Sequence, residues 1–366
     1  HTAYRRQRQM CIRDRYASLL MMGISTSIIG ILPPAASAGV GVVIVLQLMR
    51  LAQCFGRGGT WGGGILMAYE NVPENKRSFY AAIPQIGLPI GFGLSSILIA
   101  VPTLLLPEDI FFTWGWRIPF LAAIILTVIV IRQKGEMMET EDYKKAQAKL
   151  EAEEAEGKKH KVGFIPMVKG YWKTLLLGCG TRWVDGTFYN IFIVWILSYC
   201  INWLGMPLIQ TYIITIIACI FKIPFTLFGG WCAQKLGNTR TFVIGALASA
   251  VLSIPTLKVI ELSKGNLAIT IIGIVLGWSI AYNLIWAVIS SLWSSYFETE
   301  VRYSGISFVY HVPSFLVAGM VPTICTLLIN YGKGDTIYVG IYSTVVALIS
   351  AACALALKAR HDRGEK

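Results

Sequence analysis

Ten apolar stretches separated by short polar connections fill this chain, each long enough to form a helix across a bilayer. Their approximate spans are 16–33, 40–69, 79–106, 114–132, 174–201, 207–230, 241–260, 266–294, 304–330 and 336–358. A helix needs about 20 apolar residues to cross the hydrocarbon core. Backbone groups in lipid must be satisfied within the segment, which leaves helices or closed barrels. These runs are far longer than barrel strands and do not alternate strictly, so the pattern predicts an all-α, polytopic transmembrane helical bundle. The second span is long enough to imply tilt or a protruding end. Glycines and prolines recur inside spans (Gly87, Pro89, Gly91, Gly93; Pro224; Pro313, Gly319), as transmembrane helices tolerate.

The same pattern divides the chain. Residues 1–15, HTAYRRQRQMCIRDR, lack an apolar region and so are no signal peptide. They read as a basic cytoplasmic arm or, in preference, as translated adapter sequence, and are expected to carry no function. Residues 16–132 form an N-terminal bundle of four spans and 174–358 a C-terminal bundle of six, with 359–366 a short tail. Between the bundles, 133–173 is a charged linker; its ETEDYKKAQAKLEAEEAEGKKHK places Glu and Lys at helical spacing.

Composition sharpens this division. The chain is 55% hydrophobic and 14% charged, against about a quarter charged for soluble domains. A net charge of +12 is compatible with nucleic-acid binding in principle. Its distribution argues instead for membrane orientation, because Lys and Arg gather between spans. One set of loops holds nineteen of them, residues 1–15 excluded, and the opposite set holds four. The positive side is cytoplasmic, so both termini and the long linker are expected inside, with the chain in a bacterial inner membrane. The eight cysteines show no CxxC or His-paired spacing and read as small buried hydrophobes, implying no disulfide, metal or cofactor. A membrane-embedded enzyme is disfavoured by four scattered histidines and by the lack of GxSxG and HExxH.

Ionisable groups at membrane depth are costly and mark function. Arg50, Gln53 and Arg57 stand at i, i+3 and i+7, on one helical face. Two guanidinium forks there suit a carboxylate ligand. Arg182 and Asp185 lie halfway along their span, either as a mutually neutralising pair or with Asp185 as a protonatable carboxylate. Asp185 is the one acidic residue deep in a span. Lys222 is expected to snorkel towards the cytoplasm in preference to contacting substrate. His311 either packs through hydrogen bonds or relays protons. Trp195 and Trp286 are candidates to line a cavity.

Four stretches in order then resemble the metabolite:proton symporter branch of the major facilitator superfamily. They are RLAQCFGRGGTWGGGILMAYENVPENKR (50–77), WGWRIPFL (114–121), GWCAQKLGNTR (230–240) and ETEVRYSGISF (298–308). The resemblance covers roughly residues 16–358 and begins at the family's third helix, so ten of twelve spans are expected. It implies a symporter of a small organic acid or zwitterion, working by alternating access with protons as co-substrate. Arg50, Gln53, Arg57, Arg182 and Trp195 would bind substrate, and Asp185 and His311 would couple protons. Gly230, Lys235, Gly237, Arg240 and Arg302 would form the gating loops. Thr60 stands where the branch has Glu, and Gln234 replaces an acidic residue of the loop motif. The alternative within transport is an exporter of amphiphilic or cationic compounds, which would want a more acidic interior.

Overall fold

The computed structural model describes residues 2–34, 39–70, 72–73, 76–132 and 164–364. Residues 133–163, most of the expected linker, lie outside them. The first helices are α1 (Thr2–Ile31), α2 (Val40–Glu70), α3 (Arg77–Ala82), α4 (Gly87–Leu105), α5 (Glu108–Thr113) and α6 (Ile118–Arg132). Then come α7 (Phe164–Asn190), α8 (Ile196–Asn202), α9 (Leu208–Leu236), α10 (Asn238–Leu262) and α11 (Leu267–Ile274). The last are α12 (Asn283–Tyr296), α13 (Thr299–Leu316), α14 (Val321–Tyr331) and α15 (Ile337–Asp362). No strand occurs among the described residues. Two π-helical segments, Ile191–Trp195 and Val275–Ala281, join α7 to α8 and α11 towards α12.

Seven continuous helical stretches are long and apolar enough to span a membrane, and three shorter apolar helices fall at 17–31, 40–56 and 115–129. Together they coincide with the ten stretches read from the sequence. Three boundaries differ. The span ending at 230 runs on to Leu236, because no helix breaker intervenes before Gly237. The helix expected from 174 begins at Phe164 and bends at Tyr171 (φ −119°, ψ 19°). Residues 2–15 continue the first helix instead of forming a separate arm; arginine and glutamine are good helix formers, and no Gly or Pro interrupts them.

Contacts divide the chain into two compact units, His1–Met67 with Ile97–Glu141, and Ala68–Ser96 with Asp142–Lys366. The cut differs from the sequence division at 132/174 because α3 packs on α9 and α12. In the first unit α1 packs along α6. A side chain at Gly56 would meet the Ser18 carbonyl at 2.6 Å, so α1 and α2 approach closely there. In the second unit α7 packs on α13 and α15, and α10 on α12 and α15.

The second unit is arranged for lipid. Its outer surface is apolar, with Val251 73% and Leu327 65% exposed, whereas Thr226, Ser249, Ser290 and Ser294 are fully buried. Small residues let helices approach closely, which is how membrane helices associate where lipid is as apolar as the protein. Two of these hydroxyls are satisfied locally: Ser294 donates to the Ser290 carbonyl at 2.8 Å and Thr226 to the Lys222 carbonyl at 2.8 Å. One turn of helix is enough to hide their polarity.

Candidate functional site

The polar centre of the second unit is assembled from three spans at one depth. Asp185 stands at the midpoint of Met167–Asn202, Lys222 at that of Leu208–Leu236, and Tyr282 at that of Leu267–Tyr296. Each is buried: 1%, 0% and 1% exposed. Asp185 pairs with Arg182, one helical turn earlier, and accepts a hydrogen bond from the Tyr282 hydroxyl. Arg182 also donates to the Ser314 hydroxyl at 3.3 Å and lies over the Tyr310 ring, 4.4 Å from its centroid. Its charge is thus shared among a carboxylate, a hydroxyl and an aromatic face.

The reverse side of Tyr282 meets Lys222. The Lys222 ammonium lies 4.3 Å from the Tyr282 ring centroid, 4.4 Å from Trp278 and 6.0 Å from Trp286. Its recorded hydrogen bond is to the Trp278 carbonyl at 3.4 Å. No carboxylate among the described residues pairs with it. The expectation that Lys222 snorkels is therefore corrected. Fourteen residues separate it from either end of its helix, about 21 Å at 1.5 Å per residue, beyond the reach of a lysine side chain. Its helix presents Thr211, Thr215, Cys219, Lys222, Thr226, Gly229 and Gly230 inward. That stripe of small and polar residues at three- and four-residue spacing was visible in the sequence and points Lys222 into the bundle. A side-chain amide fixes the neighbourhood: Asn283 donates to the Lys222 carbonyl at 2.8 Å and to Thr226 at 3.0 Å.

The two π segments border this centre. Ile191–Trp195 follows the helix of Asp185, and Val275–Ala281 carries Trp278 and precedes Tyr282. Phe192 of one lies against Gly277 of the other, where a Cβ would clash with the ring. Single-turn π bulges are frequent at functional sites. Neither is legible in the sequence, because the pattern of apolar residues hardly changes over five or seven positions.

The other expected residues fall as follows. His311 is half-buried and meets Tyr310 edge to face at 5.1 Å, so it adjoins the Arg182 cluster. Trp195 is buried but belongs to a different stack, 5.3 Å from Tyr199. Trp286, also buried, donates its indole N–H to the Gln85 carbonyl at 3.1 Å. In the first unit, exposed Arg50 donates to Gln53 at 3.4 Å, and Gln53 donates to Thr26 at 2.7 Å. Arg57 and Thr60 are on the same helix, but their side chains lie outside the described residues.

The motif expected to gate is compact. Gly230 is not in a loop but buried within α9, where an added Cβ would meet Ala82 at 2.7 Å. Gly237 alone joins α9 to α10, at φ +87°, a left-handed conformation that favours glycine. Lys235 lies over the Trp231 ring at 4.1 Å, and Arg240 is exposed. Arg302 donates to the Phe297 carbonyl at 3.2 Å. The junction is tied to α12 by Ser291 donating to Asn238 at 3.1 Å and by Thr239 with the Tyr296 hydroxyl at 2.6 Å. Sequence reading missed Tyr282, Tyr310, Ser314 and Trp278, whose residue types carry no signal of their own.

An apolar-coated helical bundle with paired and unpaired charges at mid-membrane depth is the architecture of an integral membrane transporter. The chain matches the family described as the Major Facilitator Superfamily over residues 12–318, and it belongs to that family. It is 32% identical over 353 residues to the inner membrane metabolite transport protein YhjE of Escherichia coli (strain K12), covering 94% of this chain and 77% of that protein. It is 30% identical over 345 residues to the shikimate transporter of Escherichia coli (strain K12), covering 92% and 76%. A proline/betaine transporter of Salmonella typhimurium is 27% identical over 362 residues, with 98% and 70% covered. Among solved structures, a D-xylose-proton symporter superposes with a TM-score of 0.67 at 16% identity, covering 94% of this chain and 80% of that one. The family and these relatives are transporters, so the chain is a membrane transporter and not an enzyme.

Proposed function

We propose that the chain is a proton-coupled symporter of a small organic acid or zwitterion, with Asp185 as the proton-carrying carboxylate. The observation that carries this reading is the burial of Asp185 at mid-span between Arg182 and the Tyr282 hydroxyl. A carboxylate there is expensive without partners, and a proton that neutralises it lowers the cost of an occluded, dry state. Proton and substrate therefore cross together more easily than either alone. The relatives support the substrate class: one is a shikimate transporter and another a proline/betaine transporter, an acid and two zwitterions.

In this scheme the chain works by alternating access. Arg50, Gln53, Arg57, Arg182 and Trp195 contribute to substrate binding, and His311 assists the proton. Gly230, Lys235, Gly237, Arg240 and Arg302 act in cytoplasmic gating. Both termini face the cytoplasm of a bacterial inner membrane. The test is uptake of radiolabelled shikimate, proline and glycine betaine into vesicles under an imposed pH gradient. Concentrative uptake should collapse at least tenfold with Asp185→Asn. Unchanged accumulation would remove Asp185 from proton coupling.

A further inference from the structure

We infer that Lys222 is the partner of the substrate's carboxylate and that Tyr282 is the element that makes its availability depend on the proton. The inference rests on the symporter reading above and names the anion-recognising residue of that same site. It starts from an imbalance. Arg182 has a carboxylate partner in Asp185, whereas Lys222, equally deep and fully buried, has a carbonyl and three aromatic rings. Aromatic faces attract a desolvated ammonium through the ring quadrupole alone. A carboxylate supplies a full opposite charge in a medium where that counts for much more. The Trp278 ring adds a second, independent sign. Its indole N–H is fully buried and has no acceptor among the described residues. An incoming carboxylate has two oxygens, enough for the ammonium and the indole together.

Tyr282 connects this vacant charge to the proton site. Its hydroxyl is held by Asp185 while its ring covers the Lys222 ammonium. An ionised Asp185 grips the hydroxyl with a charge-assisted bond, about twice as strong as a neutral one. Protonating Asp185 weakens that grip, so the ring is free to swing and uncover Lys222. The proton remains on Asp185 and no covalent bond changes. Titratable groups near this pair are Arg182 and Tyr189 on α7, Tyr310 on α13, with His311 beyond it against the Tyr310 ring, and Cys219 beside Lys222.

Charge balance gives the same order of events. With Asp185 ionised, the three side chains Arg182, Asp185 and Lys222 sum to one positive charge. A proton alone raises this to two, and a proton with a carboxylate returns it to one. The empty and doubly loaded sites therefore cross the membrane at similar electrostatic cost, while a proton alone is penalised. A carboxylate alone is kept out by the Tyr282 ring.

The test uses the full chain in detergent, with [14C]shikimate and [14C]glycine betaine binding measured from pH 5.5 to 8.5. Wild type should bind more tightly as pH falls. Lys222→Met should lose at least tenfold in affinity at the acid end of the range, where wild type binds tightly, while remaining monodisperse. Tyr282→Phe should bind with less than twofold change across the range, and Asp185→Asn should keep the low-pH affinity throughout. If Lys222→Met binds within twofold of wild type at pH 5.5, the anion assignment is overturned. If Tyr282→Phe keeps the wild-type pH slope, the coupling role is overturned, and this arm decides the matter should Lys222→Met fail to fold. Absence of binding and uptake by wild type with both probes instead sinks the symporter reading, and this inference with it.

Discussion

Lys222 and Gly245 show how single positions carry meaning only through their neighbours. A lysine in a span reads as a snorkelling side chain until its helical face is considered; the face is small and polar, and the residue turns inward. Gly245 reads as one of many membrane glycines, yet α10 meets α12 there. An added Cβ would lie 2.8 Å from the Leu284 Cβ and 3.0 Å from the Ile285 nitrogen. Ile285 is part of a helix backbone and cannot rotate away. Gly245→Val is therefore expected to destabilise the second unit by about 1–3 kcal/mol through overpacking. Its melting temperature in detergent should fall, whereas Val251→Ala, at an exposed lipid-facing position, should leave it within a degree or two.

Helices in the second unit are fastened at one end by a polar clasp between two turns. Lys258 near the end of α10 pairs with Glu261 at 3.0 Å and with Asp335 at 2.7 Å. Glu261 accepts from the Thr336 backbone N–H at 2.8 Å and from its hydroxyl at 2.7 Å. Asp335 accepts from the Ile337 N–H at 2.7 Å, at the start of α15. Isolated surface ion pairs contribute little, but this one also satisfies helix-terminal backbone donors. Glu261→Ala is expected to cost about 1–2 kcal/mol, measured as a loss of thermal stability. The hydrogen bond from Lys258 holds the Asp335 carboxyl below the usual carboxylate range. A depressed value gives stability that is present above the ordinary pKa and lost as pH falls through the depressed one. Melting temperature should thus be insensitive to Asp335 near neutrality and decline only in acid, below about pH 4. Asp335→Asn should remove that share of the acid dependence.

Across the whole molecule, the charge asymmetry of the loops predicts orientation. Lys333 lies on the sparsely charged side and Arg363 on the side rich in Lys and Arg. In a cysteine-free background, Lys333→Cys should react with an impermeant maleimide in intact cells, and Arg363→Cys only after permeabilisation. The reverse labelling would invert the assigned topology. Hydrophobic periodicity and length were enough to determine the helical, membrane-spanning class and the approximate position of all ten apolar segments. Lipid imposes those constraints on each segment separately, so they are written locally. The motifs at 50–77, 114–121, 230–240 and 298–308 likewise made the family legible. What tertiary structure decided was which charges meet. Asp185, Lys222 and Tyr282 are far apart in sequence, and only helix packing brings them to one depth and sets Tyr282 between the other two. The π segments and the separate stack of Trp195 were decided the same way, because side-chain contacts between helices leave no trace in the order of residues along one.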